Sequence, residues 1–251
     1  MEINDLESIK KKIQQDHPDP KEYDFANLEI EVQLASQMIL TIPWINFDGL
    51  ISHFFLLELL QDDYYLLPPK SPIDFFNILN IPIKKNEHMG LYFSSVSHLE
   101  KKINKTTMIY KRFPSLYLDF LDPKRTKRIQ TNRATFKDYA IKFVYFIPQK
   151  ITFWCKGDYS WIKKLLNHLE YLGKKSGAGF GEIASKKIRE IEEDYSLIKN
   201  GKLTRPIPMK YLESFTMIMR APYKPPYWSR KDLEMCGMPF SKAKIKNEYL
   251  E

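Results

Sequence analysis

Twice along the chain, alternating apolar and polar residues pass directly into a helical pattern, and this recurrence narrows the folds the polymer can adopt. Leu28, Ile30, Val32 and Leu34 alternate with Glu29, Glu31 and Gln33, the period of a strand with one buried face. After Pro43 comes WINFDGLISHFFLLELL, in which Asp48 is placed to cap a helix carrying Leu50, Ile51, Phe54, Phe55, Leu57 and Leu60. The second occurrence is DYAIKFVYFIPQKITFWCKGDYSWIKKLLNHLEYLG. Its two β-rich runs, Asp138 to Ile147 and Ile151 to Lys156, flank Pro148 and Gln149, a spacing that predicts an antiparallel hairpin. Asp158 then caps a helix with Trp161, Leu165, Leu166, Leu169 and Leu172 at helical spacing, and Gly173 ends it.

The segment GEIASKKIREIEE supplies a last strand through about Ile188. The resulting order of strand, helix, strand, strand, helix, strand predicts an α+β, ferredoxin-like (βαββαβ, RRM-like) core over residues 25–194. Residues 1–24 read as an N-terminal appendage stopped by the HPDP turn. A large insertion, 61–137, separates the first helix from the second strand, and residues 195–251 read as a proline-rich, aromatic extension wrapping onto the core. No internal repeat is visible.

Charge is distributed unevenly. The chain of 251 residues carries a formal +8, and most of the excess sits in one stretch. Lys101 to Lys137 contains eleven Lys and Arg against Asp119 and Asp122, a net of +9. The first 63 residues are acid-rich, so two electrically different faces are expected, one suited to nucleic acid and one to protein. Cys155 and Cys236 are far apart and show no zinc spacing, which predicts reduced thiols in a cytoplasmic protein. The longest apolar run, within Leu50 to Leu60, is interrupted by Ser52, His53 and Glu58 and is too short to span a bilayer. The acidic, polar N-terminus does not read as a signal peptide.

The segment LGKKSGAGFGEI, Leu172 to Ile183, places Lys174, Lys175 and Ser176 beside the alternating Gly177, Gly179 and Gly181. Glycines let a backbone approach a partner closely and take positive φ, and the lysines bring charge that suits a phosphate backbone. The segment is neither a P-loop nor a dinucleotide fingerprint, because it follows a helix and precedes a strand.

A glycine-rich loop at this place in such a core resembles the G-loop of the RAMP superfamily of CRISPR-associated proteins, whose members bind or cut CRISPR RNA. The helix opening FDGLISHFFL, YKRFP from Tyr110, RATFKDY from Arg133, CKGDYSWIKKLL from Cys155 and KPPYW from Lys224 follow one another in the chain. Together they resemble landmarks of the Csf-type relative of the Cas-five group, the crRNA 5′-handle-binding subunit of type IV CRISPR effector complexes. The resemblance covers most of Leu28 to Trp228 and implies a noncatalytic RNA-binding subunit that caps a filament of backbone subunits. Implied partners are the CRISPR RNA 5′ handle and a backbone RAMP subunit, with a large subunit and target DNA as further candidates. No cofactor, metal or membrane is implied. The RNA-contacting role carries over to Lys174, Lys175, Ser176, Gly177, Gly179 and Gly181.

Residue chemistry points the same way. A single strand needs cations for its phosphates and planar side chains for its bases. Tyr110, Phe113, Phe136 and Trp228 are interleaved with or near Lys111, Arg112, Arg133, Lys137 and Arg230, and the run PKRTKRIQTNR adds Arg125, Lys127 and Arg128. Two alternatives stand beside this reading. Some RAMP proteins process CRISPR RNA without metal, and His53 in the first helix is the candidate acid or base for such an endoribonuclease; set against this, its apolar run suits a packed core histidine. The acidic N-terminal region and the PPYW tail also suit a protein-interaction module without RNA contact. His17, His88, His98 and His168 show no metal-ligand spacing, and Asp62 with Asp63 reads as a solvated helix end.

Overall fold

The computed structural model describes residues 11, 13, 22–67, 79–114, 116, 132, 137–227 and 233–249. In chain order the strands begin with β1 (Phe25–Leu34), β2 (Met38–Ile39), β3 (Lys85–Asn86), β4 (Leu91–Tyr92), β5 (His98–Glu100), β6 (Ile103–Lys111), β7 (Tyr139–Ile147) and β8 (Lys150–Asp158). They continue with β9 (Ile183–Glu190), β10 (Ile198–Lys199), β11 (Lys202–Leu203), β12 (Ile207–Pro208), β13 (Leu212–Phe215), β14 (Ile218–Pro222), β15 (Leu233–Gly237) and β16 (Ala243–Ile245). The helices α1 (Phe47–Leu60) and α2 (Tyr159–Leu165) make this a mixed fold of few helices and many antiparallel strands.

The central sheet has the order β5-β8-β1-β9, every neighbouring pair antiparallel. The alternation in β1 does what its period demands: Leu28, Ile30 and Val32 are fully buried beside Cys155, Phe153 and Ile151 of β8. They share one core with Phe47, Ile51 and Phe55 of α1 and Ile162 and Leu165 of α2. Ile13, from the segment expected to be an appendage, is fully buried in the same core.

Three local expectations are corrected. The hairpin between Asp138–Ile147 and Ile151–Lys156 does not form; Pro148 and Gln149 carry the chain from one sheet to another. β8 has both edges filled, by β1 and β5, while β7 pairs in unbroken register with the equally long β6 and with β2. The strand beside β8 therefore comes from within the expected insertion. The second helix is also shorter than its apolar spacing predicts, passing into a 3₁₀ turn at Leu166–His168. The Lys186 ammonium donates to the carbonyls of Leu166 at 2.7 Å and Leu169 at 3.0 Å, so the chain can leave the helix with those acceptors satisfied. Leu169 and Leu172 are still buried, as part of an extended segment. Asp158 does cap α2, accepting from Trp161 N at 2.9 Å.

Asp48, expected to cap α1, instead lies inside its first turn, with Asn46 at the cap position. Its carboxylate is committed elsewhere: Arg205 Nη2 donates to it at 3.1 Å and the Tyr227 hydroxyl at 2.6 Å. Arg205 and Asp48 are each 1% exposed. Around Arg205 the C-terminal region builds a second apolar cluster, in which Leu203, Ile207, Tyr223, Cys236 and Ile245 pack with Met89, Leu91 and Phe93. Cys155 and Cys236 are free and buried, and burial pushes both thiols up, Cys236 to about 12. Among the described residues no helix is long and apolar enough to cross a membrane.

Removing one member of a buried ion pair strands the other charge. Asp48→Ala is expected to lower unfolding free energy by about 3–5 kcal/mol, measured by urea denaturation. Asp48→Asn, which keeps acceptor and shape, is expected to lose less.

Candidate nucleic-acid interface

The glycine-rich segment is a closed turn anchored at both ends. Lys174 N donates to Ile39 O and Gly181 N to Gln37 O, each at 2.8 Å, while Leu172 N donates to Gly181 O at 2.8 Å. The β1–β2 connection thus holds the turn from one side. Its glycines divide into two kinds. At Gly181, with φ +77°, an added Cβ would lie 1.9 Å from Leu172 O, and at Gly173, with φ +93°, 2.6 Å from Ile39 O. These two are demanded by packing. An added Cβ at Gly177 or Gly179 would meet nothing within 4 Å, and both residues are exposed, though Gly179, at φ +79°, is still set by backbone conformation.

The two lysines are used differently. Lys174 is exposed, whereas Lys175 is half-buried in the left-handed region at φ 67°. The Lys175 ammonium lies 5.9 Å from the Tyr139 ring centroid and 5.5 Å from that of Phe143, both on β7. Tyr139 is the direct cross-strand partner of Lys111 on β6. The turn is therefore joined to the β6–β7 ribbon, and the odd-numbered face of that ribbon presents Lys105 and Lys111 beside the rings under Lys175. Lys111, Arg112 and Lys137 are exposed at the Tyr139 end of the ribbon, and Tyr110 is 62% exposed on its other face. The half-buried Phe113 is tied there too, its amide donating to Asp138 Oδ1 at 2.8 Å. Arg125, Lys127, Arg128, Arg133, Phe136, Trp228 and Arg230 lie outside the described residues.

Beside the same turn a hollow of about 410 Å³ opens between α1 and the glycine-rich segment, lined among others by Trp44, Leu50, His53, Phe54 and Lys174. His53 is exposed at this hollow and not packed in the core, as its apolar run would suit. Its Nδ1 shares a hydrogen bond of 2.7 Å with the Tyr64 hydroxyl. Partial burial, with a smaller contribution from His168, pulls the imidazole below its usual value, so it is mainly neutral at pH 7. His168 in turn meets Glu58 at 2.8 Å. Among the described residues no three His, Cys, Asp or Glu side chains gather so as to hold a metal.

Sequence periodicity did not point to a second cationic hollow, on the other face of the central sheet, where Lys150, Arg189, Lys199 and Lys202 come together. Its one legible signal is Asn200-Gly201 set between two lysines, a tight-hairpin pair that puts both charges on one side.

No curated protein matches the chain. The family model described as CRISPR type IV associated protein Csf3 matches residues 83–239, a span that includes the ribbon, the glycine-rich turn and Arg205. That match covers more than half of the chain, and the protein belongs to the Csf3 family of type IV CRISPR-associated proteins.

Proposed function

We propose that the protein is a noncatalytic, cytoplasmic subunit of a type IV CRISPR ribonucleoprotein effector complex, binding the 5′ handle of the CRISPR RNA and capping the filament of backbone subunits. The core is read as ferredoxin-like, a reading supported by its two strand-helix-strand passages and by the order β9-β1-β8-β5. The observation that carries the RNA reading is the seating of Lys175 on Tyr139 and Phe143. It puts the exposed Lys174 and the glycine tip beside a strand pair bearing Lys105 and Lys111. Cations spaced along a turn and a ribbon suit successive phosphates, and the exposed Tyr110 offers a ring to an unstacked base.

A second reading, a metal-independent endoribonuclease, is favoured by one feature: His53 and Lys174 line the same hollow. A largely neutral imidazole can take a proton from a 2′-hydroxyl, and an ammonium can stabilise the charge that develops on phosphate.

Lys174→Ala with Lys175→Ala is expected to weaken capture of handle RNA and to reduce the slope of log affinity against log salt by about 1.4, from about 0.7 per phosphate on a single strand. Because Lys175 also rests on two rings, the pair should cost no more than about 1 kcal/mol of stability. Fluorescence anisotropy across a salt series and a thermal melt measure the two effects, and unaltered affinity counts against the role of the turn.

The glycines separate binding from folding. Gly177→Ala is expected to leave Tm unchanged while weakening RNA binding, whereas Gly181→Ala lowers stability by about 1–3 kcal/mol or more, through positive φ and the clash with Leu172 O. For the second reading, specific cleavage of precursor RNA in chelator that vanishes in His53→Ala would replace the noncatalytic assignment.

A further inference from the structure

The second cationic hollow shares no lining residue with the one beside the glycine-rich turn. It encloses about 460 Å³ between the helix-free face of the central sheet and the segment from Lys199 to Thr204. Its walls carry Lys150, Arg189, Lys199 and Lys202 against the carboxylates of Glu29 and Glu100. Those carboxylates are already engaged. Glu29 accepts from Trp154 Nε1 at 2.9 Å and from Arg189 Nε at 2.9 Å, and Glu100 lies 3.7 Å from Lys150. Burial opposes ionisation of Glu29, yet the hydrogen bonds from Trp154 and Arg189 outweigh it and hold the carboxyl below its ordinary range.

Lys199 feels the charges of this network without being ion-paired into it, and Lys202 lies beside Lys199. They are direct cross-strand partners in the β10–β11 hairpin, whose turn residues Asn200 and Gly201 take φ of 51° and 71°. Lys242 joins the same ladder through a bridge to Lys202. Like charges directly opposite one another destabilise a hairpin. Among the described residues neither Lys199 nor Lys202 forms an ion pair with a carboxylate. The Lys199 ammonium instead lies 4.0 Å from the Trp154 ring centroid and 4.5 Å from that of Tyr195.

Burial also draws Lys199 below its usual value, and the charge of Glu29, already engaged by Trp154 and Arg189, offsets this only in part. Across the hollow, His98 packs 5.7 Å from Trp154 and 5.3 Å from Phe240, centroid to centroid, and Phe240 keeps 37% of its surface exposed. Burial first, then Lys199, keeps the His98 imidazole on the neutral side, so it can exchange hydrogen bonds with a base edge. Paired ammonium groups that share no ion-paired carboxylate, next to an accessible ring, have the chemistry to take a phosphate that carries a planar base.

We propose that this hollow is a second nucleotide subsite for single-stranded RNA, with Lys199 and Lys202 on a phosphate and Phe240 with His98 receiving the adjoining base. The proposal rests on the RNA-binding reading above and extends it to a face of the sheet opposite the helices. A phosphate between the two lysines turns their mutual repulsion into two attractions.

The test uses the full chain and a short 5′-hydroxyl single-stranded RNA, with anisotropy measured across a salt series. Lys199→Gln with Lys202→Gln is expected to weaken binding about tenfold and to reduce the salt slope by about 1.4, independently of the Lys174/Lys175 change. Lys202→Gln alone is expected to keep or raise Tm, since it relieves repulsion. If the hairpin variant binds as wild type while the Lys174/Lys175 variant is impaired, the subsite is overturned and the general RNA reading stands. If wild type does not bind the RNA, both fall. A drop in Tm for Lys202→Gln would assign that lysine to folding and overturn the proposal. Uridine monophosphate separates the sources: if it raises the wild-type Tm but not that of the hairpin variant, and RNA affinity ignores the hairpin, the hollow takes a free nucleotide and no strand.

Discussion

A guanidinium with almost no contact with water holds the two halves of this molecule together. Arg205 Nη1 donates to the carbonyls of Tyr92 and Ser94, and Nη2 to Asp48, the Tyr223 carbonyl and the Tyr227 hydroxyl. Tyr227 passes its own proton toward Asp48, so one phenol is acceptor and donor at once. Burial drives the phenol well above its ordinary value and keeps it protonated for that double role. For Arg205 burial works against the charge, but the adjacent carboxylate more than restores it. The partners come from the first turn of α1, the β4 region and the C-terminal extension, three segments far apart in the chain. Gly49 lets the Tyr227 ring lie against the helix, since an added Cβ would be 3.1 Å from it.

This pair explains why the C-terminal region is more than a cover. Its small sheets build their own apolar cluster with Met89, Leu91 and Phe93, and Arg205 links that cluster to the main core. The same region closes the hollow on the helix-free face of the sheet, where Lys199 meets Trp154. The two faces of the central sheet thus have different work. One packs against helices through Leu28, Ile30 and Val32; the other carries Glu29, Glu31, Lys150 and Arg189 in linked ion pairs under a cationic hairpin.

The glycine-rich turn shows how one short segment serves packing and accessibility together. Gly173 and Gly181 are required where backbone meets backbone and Gly179 by its positive φ, while Gly177 and Gly179 leave the tip bare. A reading of the sequence treats the alternating glycines alike. The distinction comes from what each faces: Gly173 meets Ile39 O of β2 and Gly181 meets Leu172 O across the base of the turn, while the tip meets nothing.

Much of the architecture was legible in local pattern. The alternation in β1, the Asp158 cap, the presence of β9 and the burial of Leu28, Ile30 and Val32 all follow from periodicity and capping, which act over a few neighbouring residues. Pairing partners did not follow, because a strand pattern states which face is buried and not which edge it meets. The Pro148-Gln149 link has the length of a hairpin turn, yet β7 leaves for β6 because β8 is occupied on both sides. Asp48 has the sequence signature of a cap, and an arginine 157 positions away claimed it. The cationic hollow likewise depends on Lys150, Arg189, Lys199 and Lys202 arriving from separate strands, an encounter that charge counting along the chain cannot contain. Short-range order is written in the spacing of side chains; long-range pairing is settled by competition for hydrogen-bonding edges and buried counter-charges once the chain has folded.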